Sequence, residues 1–129
     1  MVHLYDSTKH YGHVSEWWSG HGQEPIPEQF LPKLGYVVYR DKNPVAAAWI
    51  VMSNSHGVCY MEWFVTNPLY KGPILSATKD LFTVVKNTLK ELGYNVMFAA
   101  VDSEDKANAA ERFGFSRLSD HMIHLVSET

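Results

Sequence analysis

The sequence has very little cysteine and no long apolar run. Its single cysteine, Cys59, has no partner within the chain, which excludes an intrachain disulfide framework. The longest apolar stretch, Val45–Met52, would cross less than half of a bilayer as a helix, and the N-terminal residues do not fit a signal peptide. These absences predict a protein of the reducing cytoplasm that has no transmembrane segment.

Positive charge is also scarce. Eleven Lys and Arg residues stand against fourteen Asp and Glu residues, which gives a formal net charge of −3. This balance provides no basic field for nucleic acid or for an anionic membrane, so neither is an expected partner. The composition, 46% hydrophobic and 19% charged, is typical of a folded chain. Its length suits a single domain over residues 1–129.

Glycine and proline divide the first third of the chain into three segments. Val2–Asp6 alternates apolar and polar residues like a short strand, and Lys9–Trp18 has the composition of a helix. Gly20–Pro32 contains three prolines, which exclude a long helix but leave room for a short one around Glu28–Leu31. We therefore expect Gly20–Pro32 to form a mobile flap.

The middle of the chain predicts a sheet followed by a crossover. Three apolar runs, Gly35–Arg40, Val45–Ser53 and Val58–Thr66, are joined by short turn-rich connectors and predict an antiparallel meander. Apolar residues between Leu75 and Leu92 recur at three- and four-residue spacing, which indicates one long helix. The near-continuous apolar run Tyr94–Val101 is typical of a strand buried on both faces, parallel to the third run of the meander.

The last part of the chain predicts a second helix, about Glu104–Phe113, and a closing hairpin formed by Phe115–Leu118 and Met122–Val126. The resulting fold class is α/β of the α+β type. We expect a mixed, largely antiparallel sheet of six to seven strands, flanked by about four helices and containing one parallel crossover.

This order of elements resembles the GNAT family of N-acetyltransferases over nearly the whole chain. Ala109–Phe115 is similar to the family's helix that ends in Gly-Phe, and Met61–Pro68 is similar to its fourth strand and the exit from it. The resemblance implies an N-acyltransferase, most simply an N-acetyltransferase, that uses acetyl-CoA or another acyl-CoA. Its acceptor would be an unidentified amine on a small molecule or a peptide.

The resemblance also assigns residues to the cofactor. These are Trp63, Phe64, Val65, Lys71, Gly72, Ser76 and Ser103. Two departures from the family pattern affect this assignment. Pro73 lacks an N–H donor and Ile74 adds a side chain where the family's phosphate loop has glycine, and Ala110 stands where many members have the tyrosine that protonates the leaving thiolate.

These departures leave an alternative open: a catalytically inactive protein of the GNAT fold with a binding or structural role. The small size and the first helix are also similar to GNAT-like proteins of tailed phages, some of which are virion components. The sequence does not indicate an oligomeric state.

Glu62 is the candidate general base, because it lies within an apolar strand where the resemblance often places that group. Strict strand alternation puts Glu62 on one face with Tyr60 and Phe64, and puts Met61 and Trp63 on the other. A carboxylate among aromatic rings is expected to have a raised pKa through desolvation. The alternative interpretation is a solvated or ion-paired glutamate at a sheet edge.

Trp17 and Trp18 are candidates for the acceptor site, together with Tyr60. Adjacent helical residues point about 100° apart, so we expect one indole in the core and the other in the cleft. In the family that the chain resembles, the first helices form the wall that contacts the acceptor substrate.

Histidine is abundant, with seven residues in the chain. His10 and His13 share a helix face by their spacing, but no cysteine or nearby carboxylate completes a ligand set, so no metal site is predicted. His121 and His124 have opposite strand parity in the predicted hairpin. One of them could face the substrate cleft, although a structural role fits both better.

Overall fold

The computed structural model describes residues 1–118, 123 and 125–128. The elements are β1 (Val2–Leu4), α1 (Ser7–Gly20), a 3₁₀ turn (Glu28–Phe30), β2 (Gly35–Arg40), β3 (Asn43–Met52), β4 (Val58–Thr66), α2 (Ile74–Glu91), β5 (Val96–Ala99) and α3 (Glu104–Arg112). The strands form one sheet in chain order, antiparallel except for the parallel pair β4 and β5. The expected mixed architecture with one parallel crossover is confirmed. The expected strand and helix counts are wrong for the described part of the chain, which has five strands and three α-helices.

Two helices cover opposite faces of the sheet. Helix α2 buries a stripe that includes Leu81, Val85 and Leu89, because three- and four-residue spacing aligns side chains on one helix face. Helix α1 packs against the other face through Trp17 and Trp18. Alternate residues of β2 and β3 therefore contribute to two separate apolar clusters, here called the α2 face and the α1 face of the sheet.

Trp49 is the centre of the α1 face. Its ring is fully buried and lies against Trp18, with the ring centroids 5.6 Å apart, and against the edge of Tyr5, at 5.1 Å. Gly35 pairs with Trp49 across the sheet, and a Cβ atom at Gly35 would lie 2.6 Å from the indole Cδ1. Only glycine fits there. Burial raises the pKa of Tyr5 to about 12, helped by the nearby Glu28 carboxylate.

The start of α1 is fixed by a buried histidine. The backbone N–H of Asp6 donates to His10 Nδ1 at 2.9 Å, and His10 Nε2 lies 2.8 Å from the hydroxyl of Tyr39. Because Nδ1 accepts a hydrogen bond, the ring proton is on Nε2 and the neutral ring donates to Tyr39. Burial lowers the pKa of His10 below its ordinary value. Groups of three or more His, Cys, Asp or Glu side chains that could hold a metal ion do not occur in the described residues.

The segment Gly20–Pro32 contains the expected short helix as a 3₁₀ turn. The hydroxyl of Tyr11 donates to the carbonyl of Ile26 at 2.9 Å, and Ile26 and Leu31 pack partly into the α1 face. The segment is therefore attached to α1 near its middle. Its mobility remains a prediction.

The end of the described chain differs from expectation. β5 is shorter than Tyr94–Val101 and is not buried on both faces, since Val96 and Phe98 are exposed. The reason is that β5 is the outer strand among the described residues and packs against the core through Met97. Phe115–Leu118 forms no strand, because Phe115 turns back onto Phe82 and Lys86. The second half of the predicted hairpin, Met122–Val126, lies partly outside the described residues, as do His121 and His124.

Helices in the described ranges are all too short or too polar to cross a membrane.

Candidate active site

The parallel strands β4 and β5 separate partway along β4. Their pairing runs from Val58 opposite Val96 to Met61 opposite Ala99, whereas β4 continues to Thr66. Beyond Met61 the outer backbone edge of β4 has no strand partner among the described residues. Apart from the Thr66 carbonyl, which lies 2.8 Å from His21 Nε2, the N–H and C=O groups on this edge are therefore available to a ligand that lies between the two strands.

A β-bulge lies in this unpaired part of β4. Ala47 pairs with Val65 and Trp49 pairs with Glu62, so two β4 residues, Trp63 and Phe64, oppose the single residue Ala48. Trp63 has a φ angle of 54°, in the left-handed region that costs an L-residue about 1–2 kcal/mol. A bulge of this kind bends the strand and redirects its side chains.

The bulge overturns the predicted side-chain alternation. Phe64 packs on the α2 face with Met61, and Trp63 packs on the α1 face. Glu62 lies on the α1 face as well, because it is directly opposite Trp49. The prediction that Glu62 shares a face with Phe64 and not with Trp63 is therefore wrong. The extra residue in the strand shifts the period by one from Trp63 onward.

The Glu62 carboxylate is half-buried, and it has no hydrogen-bond or ion-pair partner among the described residues. The alternative of an ion-paired glutamate finds no support in that part of the chain. Tyr60, two residues earlier on the same face, is 41% exposed and stacks on Phe98 with the ring centroids 5.5 Å apart. Glu62 thus lies between an open aromatic pair and the bulge.

The N-terminus of α2 is uncapped. Pro73 occupies the cap position without a side-chain hydrogen bond, and the first turn has no acidic residue. The first intrahelical bond runs from Ala77 to the Pro73 carbonyl, so the N–H groups of Ile74, Leu75 and Ser76 precede the ladder. These three N–H groups have no partner among the residues that the structure describes, and unpaired donors at the positive end of the helix dipole are suited to an anion.

Lys71, Gly72 and Ser76, the residues expected at the phosphates, are all exposed at this helix end. Gly72 has a further role that the sequence did not indicate. A Cβ atom at this position would overlap the hydroxyl and ring of Tyr70, which packs partly into the α2 face. A side chain at position 72 would therefore require the Tyr70 ring to move.

Ser103 caps α3, and its side-chain oxygen accepts the N–H of Lys106 at 3.3 Å. This gives the hydroxyl a structural role in addition to the cofactor contact that remains a prediction. Cys59, the chain's one thiol, is buried and donates to the carbonyl of Val96; burial raises its pKa. A protonated, enclosed thiol is a poor nucleophile.

The expectation that only one of Trp17 and Trp18 is buried is wrong. The two side chains are 4% and 3% exposed. Both fit in the core because α1 lies on a broad sheet, where the buried stripe of a helix is at least about 100° wide and holds adjacent residues. Neither indole is open to a substrate cleft in the described structure.

A surface cavity that the sequence did not indicate lies beside the bulge. Its volume is about 360 Å³, and its apolar lining includes Phe30, Pro32, Leu34, Val51, Met52 and Trp63. The residues come from three separated segments of the chain, so no local pattern identifies them. Trp63 connects this cavity to Glu62, its neighbour on the same face.

Comparison with solved structures identifies the fold. No protein-family model matches the sequence, and no curated protein matches it. An aminoglycoside acetyltransferase from an uncultured soil metagenomic sample, solved with sisomicin, has a TM-score of 0.75 at 11% identity, covering 100% of this chain and 95% of that one. The aminoglycoside N-acetyltransferase AAC(6')-Iy, solved with coenzyme A, has a TM-score of 0.66 at 14% identity, and the match covers 98% of this chain and 99% of that one.

The structural neighbours are GNAT acetyltransferases, and the expected GNAT fold is confirmed. The same fold also occurs in a transcriptional regulator from Bacillus halodurans, with a TM-score of 0.71 at 13% identity over 98% of this chain and 99% of that one. At these identities the likeness defines the fold, and activity has to be argued from the site.

Proposed function

We propose that this protein is an acyl-CoA-dependent N-acyltransferase, most simply an N-acetyltransferase, that acts on an amine. The observation that carries the proposal is the bulged, unpaired edge of β4, which opens where β5 diverges and is followed along the chain by the uncapped N-terminus of α2. A backbone edge and an anion-binding helix end match an elongated ligand that has amide groups at one end and phosphates at the other.

The donor set fits coenzyme A. The backbone of Trp63–Val65 would pair with amide groups of the pantetheine arm, and the N–H groups of Leu75 and Ser76 would hold phosphate together with Lys71. The fit has one weakness, since Pro73 contributes no N–H donor. When bound, coenzyme A supplies an acyl group activated as a thioester.

Glu62 would act as the general base. An amine is nucleophilic only after it loses its proton. The carboxylate of half-buried Glu62, which has no partner among the described residues, is able to accept that proton directly or through one water. Because Ala110 replaces the family's tyrosine, the proton that returns to sulfur comes from another source, such as water. Binding of acetyl-CoA at this site and transfer of its acyl group to an amine are two proposals. A binding assay tests the first and a transfer assay tests the second.

The binding test uses acetyl-CoA and Lys71→Ala. Loss of a charge-assisted phosphate contact costs about 1.5–3 kcal/mol, or about 10- to 150-fold in Kd. Lys79→Ala, which removes another exposed lysine further along α2, is the matched control and should leave Kd unchanged. Equal weakening by both variants, or no stabilisation of the fold by millimolar acetyl-CoA, would contradict the proposed cofactor site and favour a non-catalytic binding protein.

The catalytic test is Glu62→Gln, which keeps the side-chain shape and removes the proton acceptor. We expect turnover to fall about 10²- to 10⁴-fold with an unchanged Kd for acetyl-CoA. Glu16→Gln, at an exposed position of α1, is the control. Turnover of Glu62→Gln within a few-fold of the parent would exclude Glu62 as the base.

A further inference from the structure

The cavity beside the bulge has the chemistry of an amine-acceptor site for one class of amine. Phe30, Val51 and Met52 line it and are 65%, 38% and 48% exposed. Apolar surface that remains open to water around a concave site is stabilised when a ligand covers it. The size of the cavity, about 360 Å³, is at the lower end of small-molecule pockets.

The cavity lies next to the proposed base. Val51 pairs with Tyr60 and Trp49 pairs with Glu62, so Val51 and Glu62 are diagonal neighbours on the α1 face. Diagonal neighbours in an antiparallel pair are about 7–8 Å apart. A ligand with its apolar body against Val51 and Trp63 can therefore present an amine to Glu62.

The charges around the cavity discriminate among amines. Among the lining residues that the structure describes, Lys33 is the one charged residue and none is acidic. The carboxylate beside it, Glu62, can neutralise one ammonium group. A polycation would place its remaining ammonium groups against apolar side chains and Lys33, which costs binding energy through unpaired and like charges.

We propose that the acceptor is a monoamine with an apolar, aromatic-sized body and no second positive charge. This inference rests on the proposed function for the transfer step, but the ligand class follows from the cavity itself. It distinguishes this protein from the structural neighbours solved as aminoglycoside acetyltransferases, because an aminoglycoside carries several amino groups.

The experiment compares 2-phenylethylamine with sisomicin as acceptors, by release of the coenzyme A thiol from acetyl-CoA. Binding of 2-phenylethylamine is measured in parallel by NMR on the protein without cofactor. We expect kcat/KM to be at least about tenfold higher for 2-phenylethylamine. Lys33→Glu should raise the kcat/KM of sisomicin several-fold, because it replaces a like charge with an opposite one.

Phe30→Ser tests the cavity directly. Partial loss of one aromatic contact should weaken 2-phenylethylamine binding about five- to tenfold. Leu4→Ser is the matched control, since Leu4 is also 65% exposed but does not line the cavity. Both variants change exposed side chains, so the fold should tolerate them.

The outcomes separate the inference from the proposed function. Faster transfer to sisomicin overturns the inference and leaves the acyltransferase activity standing. A second outcome is that neither amine is acetylated, while 2-phenylethylamine still binds and its binding is weakened by Phe30→Ser but not by Leu4→Ser. That outcome refutes the transfer activity and supports the ligand class. Absence of both transfer and binding, or equal effects of the two variants, overturns the inference.

Discussion

The buried ring of His10 makes the stability of the fold depend on pH. His10 is 3% exposed and accepts the N–H of Asp6 at Nδ1, so protonation of the ring breaks that bond and charges a buried group. Its folded-state pKa is lowered, mainly by burial, with further lowering from His13, His3 and Lys9 and an opposing effect of Asp6. In the unfolded chain the ring has its ordinary pKa of about 6.5.

The direction of the effect follows from proton binding. At pH values between the folded-state and the unfolded-state pKa of His10, the unfolded state binds more protons than the folded state. The stability that neutral His10 contributes is therefore fully present above about pH 6.5 and is lost as the pH falls toward the folded-state pKa. One proton changes the free energy of unfolding by at most about 1.4 kcal/mol per pH unit. With an unfolded pKa of about 6.5, the upper limit of the loss between about pH 7.5 and pH 5.5 is about 1.4 kcal/mol.

Urea unfolding of the parent and of His10→Gln across this pH range measures the effect. Titrating groups that do not interact with His10 contribute equally to both proteins, so the stability difference between them should shrink by up to about 1.4 kcal/mol on acidification. His56→Gln, at an exposed position of the turn between β3 and β4, should keep the parent's pH dependence. A difference between parent and His10→Gln that does not vary with pH would refute the reasoning, as would an NMR titration in which His10 protonates at about 6.5 or above.

Two further predictions concern packing. Gly35→Ala should lower the free energy of unfolding by about 1–3 kcal/mol in urea, because the added Cβ would overlap the buried indole of Trp49. Gly12→Ala, which has open space around it in α1, should raise the free energy of unfolding by about 0.5–1 kcal/mol. A change of the same sign in both variants would contradict the packing argument. Lys86→Met should lower the free energy of unfolding by about 1–2 kcal/mol and raise the rate of amide hydrogen exchange in α3, because it removes the hydrogen bond that the lysine donates to the Phe113 carbonyl. An unchanged exchange rate in α3 would show that the lysine does not hold the helix end.

The sheet and its helices follow from periodicity in the sequence. The three apolar runs with short turns, the stripe from Leu75 to Leu92 and the run before Val101 each depend on local spacing, and local spacing is what the backbone geometry of strands and helices requires. Their order then restricts the topology to a meander with one crossover.

The site depends on features with no local signal. The bulge at Trp63 contains no glycine that would indicate it in the sequence, and it changes which side chains share a face with Glu62. The burial of Trp17 beside Trp18 depends on the breadth of the sheet under α1. The cavity brings Phe30 to Met52 and Trp63 across large separations in the chain, and such contacts are fixed by tertiary packing.

The agreement between chain order and strand order has a consequence for synthesis on the ribosome. Strands β1 to β4 pair only with neighbours in sequence, so the nascent chain can complete this meander before α2 has emerged. During that interval Val38, Ala46 and Ile50, which α2 later covers, face solvent on a twisted sheet with an open edge, a surface suited to chaperones or to aggregation. Ribosome-bound chains whose segment outside the exit tunnel ends at about residue 70 should therefore recruit chaperone more strongly than chains in which α2 has also emerged.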